Sequence, residues 1–563
     1  MQFHSPASRS ASVKRTVIAE VVILMLSGMC ALEAAAQTAV PAQSLPTPGA
    51  VLDATRPAES LIPAPRKESG IVLPRSADAQ QLDPDAPRTL VKAFRIVGNK
   101  EIDAATLHRL IDAEAGKPLN LFELNKIIRT VTDFYRKQGF PVARAVIPAQ
   151  RVEDGNVTIE VIEGRIDRTV FTGNKLYSDE FLQPWGAPLL GQTVRVEPLE
   201  ERVLTLNDLP GLTTRAVLIP GLEYGTTTTE FLASEKSYDG EVSLNNYGRP
   251  EIGRTRADAS FNLNNPFGIG DQLGVRTSMS EHGLLKLGGL NYSLPLNVYG
   301  TRLALSYTHI DYGIGGELAR LDIQGKSQLA SATVIHPFLR SASQNLYGTF
   351  AVRSFTGKQE ALGVELSKSR VSVVEAGTAW NHVSDSFDVA TAALRVSSNF
   401  NSYKEDHSNV GQKFKIDGDV SYLYNLGQSW SVKLAGAAQW TPDTLADAEK
   451  FSLGGPTSVR GYPSADVRGD RGAFGSLELR YRTTLFGAPG WFGVFADGGR
   501  VSRVEQVEGL PKSNTIGSAG FGATFFPTKG TQLEVLAAKP TSSLDPSDQR
   551  KNGRVWVNLT TRF

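Results

Sequence analysis

From Tyr238 to Phe563 the sequence alternates between apolar and polar residues in segments of about ten residues, separated by Gly, Asn, Asp and Pro. No apolar repeat of three to four residues is present in this part of the chain, so helices are not expected there. One face of one segment carries Phe414, Ile416, Gly418, Val420 and Tyr422, and the opposite face carries Asp417, Asp419 and Ser421. Other segments of this kind cover 257–263, 432–440 and 555–563. Residues 236–563 are therefore predicted to form β-strands with two different faces.

Two kinds of β-structure have to be weighed against each other. About 16 such segments follow one another, an even number, as in the closed antiparallel barrels of bacterial outer membranes. In hydrocarbon, only closure pairs every backbone donor and acceptor of a sheet. A soluble β-sandwich is expected to use more Leu and Ile in its core, and a β-propeller shows a repeated blade that this sequence lacks. The pattern favours a membrane all-β barrel of about 16 antiparallel strands over a soluble β-domain.

The rest of the sequence limits the class of function. The chain has 563 residues and a formal net charge of +1, so it lacks the basic footprint of a protein that binds nucleic acid. Two basic residues, an apolar run over 17–32 and a small-residue site predict a secretory signal peptide over residues 1–36. Cys30, the single cysteine, lies in this segment, so no disulfide is expected after export. No HExxH or G-x-S-x-G motif occurs, and the sequence indicates no enzyme, no metal site and no cofactor.

Between the signal and the barrel the sequence predicts a linker and two small units. Residues 37–89 are rich in Pro, Ala and Ser and form a periplasmic tail or linker. Residues 90–164 predict the order β-α-α-β-β, with helix N-caps at Asp103 and Asn120. Residues 165–235 repeat the strand and the Gly-Asn turn of this unit, and a helix is predicted over 196–209.

A loop in the barrel region has an unusual composition. Within residues 441–472, Gly454, Gly455 and Pro456 allow a sharp reversal, because glycine reaches positive φ and proline fixes φ. Bulky side chains surround an arginine directly after it, in Val459-Arg460-Gly461-Tyr462. A solvated arginine in a hairpin is the simpler interpretation. The bulky neighbours instead predict a loop that folds back into an enclosed space, with one cation anchored there.

The two small units resemble POTRA domains, and the whole chain resembles the TpsB family of two-partner secretion transporters, which includes the hemolysin secretion/activation proteins. The resemblance places 459–462 in a long extracellular loop that enters the barrel lumen. It implies that Arg460 pairs with Asp497 of a second motif, Phe495-Ala-Asp497-Gly-Gly499. An aspartate in a β-turn is the alternative interpretation of Asp497. The resemblance also implies that Phe563 is the signal read by the barrel-assembly machinery.

Family members often carry an N-terminal helix that plugs the barrel. Here only Gly49–Thr55 could begin such a helix, and Pro57 ends it early. The expected protein is a monomer in outer-membrane lipid, delivered there by periplasmic chaperones. It is expected to export one large β-helical exoprotein of the adhesin or hemolysin type without ATP. The alternatives are a BamA-like assembly factor that inserts other barrels and a passive porin.

The POTRA units are expected to bind the amino-terminal secretion domain of that exoprotein. In a β-α-α-β-β unit the second strand commonly lies at the edge of the sheet, where a peptide can add a further strand. One predicted acceptor strand is Thr214–Ile219 in the second unit. The other, in the first unit, consists of Val142, Ala143, Arg144, Ala145, Val146 and Ile147.

Overall fold

The computed structural model describes residues 46–55, 70–72, 83–152, 154–399, 404–405, 408–409, 411–506 and 509–563. The predicted signal peptide and much of the predicted proline-rich linker lie outside these residues. Within the described ranges, no helix has both the length and the apolar character needed to cross a bilayer.

A helix and a very short strand precede the two small units. They are α1 (Pro48–Thr55) and β1 (Ile71–Val72). The first unit then contains β2 (Thr89–Val91), β3 (Ala93–Val97), α2 (Ala104–Ile111), β4 (Lys117–Leu119), α3 (Leu121–Lys137), β5 (Arg144–Val146) and β6 (Asn156–Ile162). The second unit contains β7 (Arg165–Thr172), α4 (Asp179–Gly186), α5 (Val196–Leu206), β8 (Leu212–Pro220) and β9 (Thr226–Glu235).

The first unit is a three-stranded sheet covered by two helices. The strand order is β3-β6-β5, in which β6 is parallel to β3 and antiparallel to β5. The predicted N-caps are confirmed, since Asp103 accepts from the backbone of Thr106 and Asn120 forms a capping box with Glu123. The start of the unit is divided into β2 and β3, because the N–H of Lys92 between them donates to the carbonyl of Gly155.

The second unit has the sheet order β1-β8-β9-β7. Strand β9 is parallel to β7 and antiparallel to β8, while β1 joins β8 in parallel. Helix α5 ends at Leu206 rather than at the predicted residue 209. Helix α4 was not predicted. It begins at the N-cap Ser178 and contributes Leu182 and Trp185 to the buried core of the unit.

A repeated polar contact explains the Gly-Asn turns that both units share. Gly98 and Gly173 have φ angles of +83° and +87°, which favour glycine. The carboxylate of Glu163 accepts two backbone N–H groups of the turn after Gly98, and Glu235 accepts three after Gly173. Burial raises the pKa of the Tyr135 hydroxyl, and its hydrogen bond to Glu163 raises this pKa further. Each turn is thus fixed by a carboxylate at the end of its unit.

The C-terminal part is a closed antiparallel barrel, in which sixteen of the described strands form the wall. The wall strands are β10 (Tyr238–Asn245), β11 (Arg256–Asn264), β12 (Gln272–Ser280), β13 (Leu285–Pro295), β14 (Arg302–Gly313), β15 (Ile323–Arg340), β16 (Gln344–Ala361), β17 (Val364–Val383), β18 (Val389–Asn399), β21 (Phe414–Leu426), β22 (Trp430–Trp440), β25 (Arg471–Leu485), β26 (Ala488–Ser502), β27 (Ser513–Thr528), β28 (Thr531–Pro540) and β29 (Arg554–Arg562). The predicted fold class is confirmed. A hairpin of β19 (Lys404–Glu405) and β20 (Ser408–Asn409) extends from β17.

Two further strands lie in the connection between β22 and β25, residues 441–470, which we call the long loop. They are β23 (Phe451–Leu453) and β24 (Val467–Gly469), which pair with each other and not with the wall. Helix α1 packs between this loop and the inside of the wall. Val51 and Leu52 of α1 belong to a buried cluster with Leu285 and Phe355 of the wall. The N–H of Gly49 donates to Asp447 of the long loop.

The second unit is held against the end of the barrel by buried polar contacts. Arg340 at the end of β15 forms two hydrogen bonds with the Asp208 carboxylate, of 2.9 and 2.8 Å. A third guanidinium nitrogen of Arg340 donates to Asn345 on β16. Arg202 of α5 donates to the carbonyl of Val298 in the turn between β13 and β14, at 2.6 Å. These contacts fix α5 and the connection that follows it to the barrel.

Candidate functional site

The long loop reverses sharply at two glycines, as the sequence predicted. Gly454 and Gly455 have φ angles of +108° and +105°. A Cβ at Gly454 would lie 2.2 Å from the carbonyl oxygen of Pro463, which no side chain tolerates. The reversal places Val459 and Tyr462, both fully buried, in an apolar cluster with Val501 and Ile516 of the barrel wall. The loop is therefore part of the interior of the barrel.

The loop arginine is paired with the aspartate of the second motif. Arg460 donates from Nε to Asp497 Oδ2 at 2.9 Å and from Nη2 to Oδ1 at 2.7 Å. The backbone N–H of Arg460 also donates to Oδ2, at 3.1 Å. The Asp497 side chain is fully buried. Two parallel bonds fix the direction of the guanidinium as well as its distance.

Further wall residues complete the surroundings of Arg460. Its Nη1 donates to Glu478 at 2.8 Å, and its Nη2 donates to the Ser476 hydroxyl at 3.0 Å. The guanidinium carbon lies 3.3 Å from the centre of the Phe495 ring, a close cation–π contact. Arg480 also pairs with Glu478, at 2.7 Å. Two guanidinium groups and two carboxylates are thus joined by direct contacts.

Gly461 lets the loop approach the wall closely. A Cβ at this position would lie 2.7 Å from the Cβ of Ser518 and 2.9 Å from a backbone nitrogen of the wall. The Gly461 carbonyl accepts from Arg554 on β29, and the Arg460 carbonyl accepts from Trp556 Nε1 at 2.7 Å. Tyr462 donates to a backbone carbonyl in the connection between β28 and β29, also at 2.7 Å. Every residue of 459–462 therefore fixes the loop to the wall. Gly499 of the second motif leaves room for Leu453 of the loop.

A second set of ion pairs fixes the other part of the long loop. Arg468 binds both Asp447 of the loop and Asp53 of α1, the latter at 2.8 Å. Glu449 pairs with Lys415 of β21 at 2.8 Å and with Arg353 of β16 at 3.4 Å. The loop is thus bound to two separate parts of the wall, and α1 is bound to the loop.

A polar cavity of about 1050 Å³ lies in the lumen beside the loop and α1. Its lining includes seven basic and seven acidic side chains. The basic residues are Arg256, Arg276, Arg353, Arg395, Lys415, Lys450 and Arg562, and the acidic residues are Asp53, Glu241, Asp258, Glu375, Asp417, Asp419 and Glu449. Among the described residues, no group of His, Cys, Asp and Glu side chains is arranged to hold a metal ion.

The acceptor strand predicted in the first unit is shorter than expected and largely covered. Strand β5 covers only Arg144–Val146 of the predicted 142–147, and it lies at the edge of the sheet. Val142 packs against the core of the second unit, and Ala143 is fully buried. The backbone N–H of Ala145 donates to the Thr132 hydroxyl of α3 at 3.0 Å.

Replacing Ala145 by proline is therefore expected to destabilise the first unit by about 1–3 kcal/mol, since Thr132 loses its donor. Amide hydrogen exchange of α3 in the full-length protein measures this loss. Thr132→Val is the matched variant, because it leaves the same N–H buried without an acceptor. Unchanged hydrogen exchange of α3 in both variants would show that this hydrogen bond does not stabilise the unit.

The final residue lies at the seam where the barrel closes. Phe563 and Gly240 exchange backbone hydrogen bonds of 3.0 and 3.3 Å. The phenyl ring covers Gly240, where a Cβ would lie 2.5 Å from a ring carbon. The adjoining register between β10 and β29 has five residue pairs, from Glu241–Arg562 to Asn245–Asn558.

Sequence reasoning missed several wall residues that bind the loop. Glu478 was not singled out, although it alternates with the outward-facing Leu477 and Leu479 along β25. The same alternation places Ser476 and Arg480 on the inner face. An acidic residue on the inner face of a strand next to Asp497 was the available signal. It did not indicate which residue of the loop would reach it.

The fold and site define an outer-membrane barrel transporter with N-terminal POTRA-type domains. Residues 232–525 match the family described as haemolysin secretion/activation protein ShlB/FhaC/HecB, and residues 89–164 match the ShlB-type POTRA domain. The chain belongs to this haemolysin secretion/activation family of two-partner secretion transporters, whose members lie in the bacterial outer membrane with the POTRA domains in the periplasm.

Individual proteins agree with this assignment. The heme/hemopexin transporter protein HuxB of Haemophilus influenzae is 24% identical over 485 residues, which cover 83% of this chain and 85% of HuxB. The structure of CdiB from Escherichia coli is similar with a TM-score of 0.68 and 20% identity, covering 86% of this chain and 93% of that one. BamA from Haemophilus ducreyi, lacking POTRA domains 1–3, gives a TM-score of 0.54 at 15% identity, covering 84% of this chain and all of that one. These structural similarities concern the fold.

Proposed function

We propose that this protein exports one large exoprotein of the adhesin or hemolysin type across the outer membrane. The observation that carries the proposal is the loop held inside the barrel by Arg460 and Asp497. A barrel that only anchors its N-terminal units does not require a loop fixed in its lumen by buried ion pairs. The periplasmic units hold the unfolded amino-terminal region of the exoprotein, and the barrel conducts the chain.

The charge of the lumen supports transport of a polypeptide. Seven basic and seven acidic side chains line the cavity, so neither sign of charge is strongly retained. Such a lining suits an extended chain of mixed composition, whereas a selective ion channel concentrates one sign. The sequence contains no phosphate-binding loop of the form GxxxxGK[ST], so nucleotide hydrolysis by this protein is not expected. Folding of the exported chain into a β-helix outside the cell supplies the direction of transport.

Coexpression with a candidate exoprotein of the adhesin or hemolysin type tests this function. Wild-type protein is expected to release the exoprotein into the medium, and deletion of residues 90–164 is expected to abolish release. Heat-modifiable migration on gels shows whether the barrel of the deletion variant is still inserted. Equal release with and without the wild-type protein would contradict the proposal.

Assembly of other barrels is the second candidate function, because the fold is also similar to that of BamA. An assembly factor is expected to change the amounts of many outer-membrane barrels when it is removed. A transporter changes only the release of its exoprotein. Quantifying outer-membrane proteins in a strain that lacks this protein separates the two functions.

A further inference from the structure

The sheet edge of the second unit is covered by a segment that precedes both units in the sequence. In strand β1, Ile71 pairs with Ala216 and Val72 pairs with Val217, in parallel with β8. The N–H of Ala216 donates to the carbonyl of Gly70 at 2.9 Å. Ile71 packs against the core of the second unit, while the side chain of Val72 is about half exposed.

The rest of this edge is protected differently. The N–H and the hydroxyl of Thr214 both donate to the side-chain oxygen of Asn207. Pro220, at the end of β8, has no N–H to offer. Among the described residues, the central part of the edge is where a strand from another part of the chain pairs with β8. Exposed sheet edges bind further strands unless they are blocked, so this central part is the position where a strand can be exchanged.

We propose that the β8 edge is the strand-acceptor site for an extended segment of the exoprotein, and that Gly70–Val72 occupies this site until that segment replaces it. The inference rests on the proposed export function, since it identifies where the exported chain first binds. The exoprotein segment adds a strand beside β8, and its backbone supplies most of the affinity.

The residues now in the site define the chemistry of the incoming segment. Gly70 has a φ of +67°, and a Cβ there would lie 3.0 Å from Cγ1 of Val203. The first position therefore favours glycine. The second position takes a large aliphatic side chain, as Ile71 does against the core. The third takes a β-branched residue on the exposed face, because Val72 lies there beside Val217.

Two segments compete for the β8 edge, Gly70–Val72 and the exoprotein segment. The segment that forms the longer strand beside β8 is favoured. In the described part of the chain, β1 pairs with two residues of β8, and β8 continues through Leu218 and Ile219 to Pro220. Strands in proteins usually have about 3–10 residues, so a longer segment can form more backbone hydrogen bonds with β8. The covalent link gives Gly70–Val72 a high effective concentration, which a segment with fewer pairs cannot overcome. The site thus selects for a long extended segment.

The corresponding edge of the first unit lacks this property. There the outward N–H of Ala145 is bound by Thr132 in the middle of α3. A peptide cannot replace that partner without moving a helix of the unit's own core. The β8 edge is therefore the better acceptor of the two that the sequence predicted.

A disulfide that retains β1 on β8 tests the proposal. Val72→Cys with Val217→Cys joins two register partners, and neighbouring strands lie about 4.8 Å apart, within reach of a disulfide. Oxidation is expected to reduce release of the exoprotein at least about tenfold, and reductant is expected to restore it. Thr213→Cys with Ser234→Cys is the control, because these exposed partners on β8 and β9 stay paired in either state. Undiminished release by the oxidised variant that links positions 72 and 217 would overturn the proposal.

A binding measurement keeps this test separate from the test of export. The probe is a fluorescent peptide with the sequence of residues 68–73 of this chain, and the protein is purified in detergent. Ile71→Asp is expected to expose the site and to bind the peptide at least about tenfold more tightly than wild type. Equal binding by wild type and Ile71→Asp, or binding by the oxidised variant with the disulfide between positions 72 and 217, would refute strand exchange. If wild type does not release any exoprotein, the export function fails, while the peptide measurement still decides whether the site exists.

Discussion

Replacing Arg460 by alanine is expected to reduce release of the exoprotein at least about tenfold while the barrel stays inserted. Removal of one partner of a fully buried ion pair costs about 3–5 kcal/mol, and a hydrated lumen lowers that figure. Asp497 would keep its Ser476 and Ser518 hydrogen bonds but lose its only described cationic partner. The long loop then loses the contact that fixes its direction. The measurement is released exoprotein per amount of inserted protein.

Three further variants define what Arg460 contributes. Asp497→Ala is expected to give a similar loss, and the double variant is expected to be little worse than either single variant, because the two residues act as one unit. Arg460→Lys keeps the charge but loses the two parallel bonds and the flat contact with Phe495, so an intermediate loss is expected. Exchanging the two charges is expected to restore little. Strictly additive losses would mean that Arg460 and Asp497 act separately, and normal release by Arg460→Ala would exclude the pair from the mechanism.

Replacing Asp208 by alanine is expected to loosen the second unit from the barrel and to reduce release of the exoprotein by a comparable factor. Arg340 is almost completely buried, and without Asp208 its charge keeps only Asn345 as a side-chain hydrogen-bond partner in the described structure. The cost of such an unpaired buried charge is about 3–5 kcal/mol. Limited proteolysis of the protein in membranes measures the result, because a loosened second unit is cleaved from the barrel faster.

The control for this variant is an ion pair of the same type at the surface. Asp133 and Arg136 lie 3.9 Å apart on α3, and both side chains are largely exposed. Asp133→Ala is expected to leave proteolysis and release unchanged, because exposed pairs contribute little. Wild-type cleavage rates in Asp208→Ala would show that other contacts, such as that of Arg202 with Val298, suffice to hold the unit.

The sequence was sufficient to predict the barrel because each wall strand carries its own alternating pattern. The segment predicted at 432–440 is part of β22, and the one at 555–563 corresponds to β29. The pattern is local, since each strand separates a lipid-facing side from a lumen-facing side without reference to its neighbours. The sequence of a loop has no such local pattern that predicts the course of the loop. That Glu449 of the long loop pairs with Lys415 depends on how the whole loop folds.

In the two small units, the sequence predicted those elements whose signal, a helix cap or an apolar repeat, lies within the element itself. The N-cap Asn120 indicated the start of α3, whereas Pro184 inside α4 concealed a helix that Ser178 caps. Strand β1 could not be recognised from the sequence, because two residues are too few to show an alternating pattern. They form a strand because they pair with β8. The closure of the β5 edge by Thr132 is likewise a tertiary contact between residues that show no special pattern.

The seam between β10 and β29 affects how the barrel is built. The pair Glu241–Arg562 joins residues 321 positions apart, whereas the other wall strands pair with near neighbours in the chain. For a flexible chain, closing a loop of that length costs about 3 kcal/mol more than closing one of 10 residues. Hairpins are therefore expected to form first and the seam last. Until then β10 and β29 are two unpaired edges on the same molecule, each able to bind the wrong strand. Nascent barrels of this type are thus most vulnerable to aggregation just before completion.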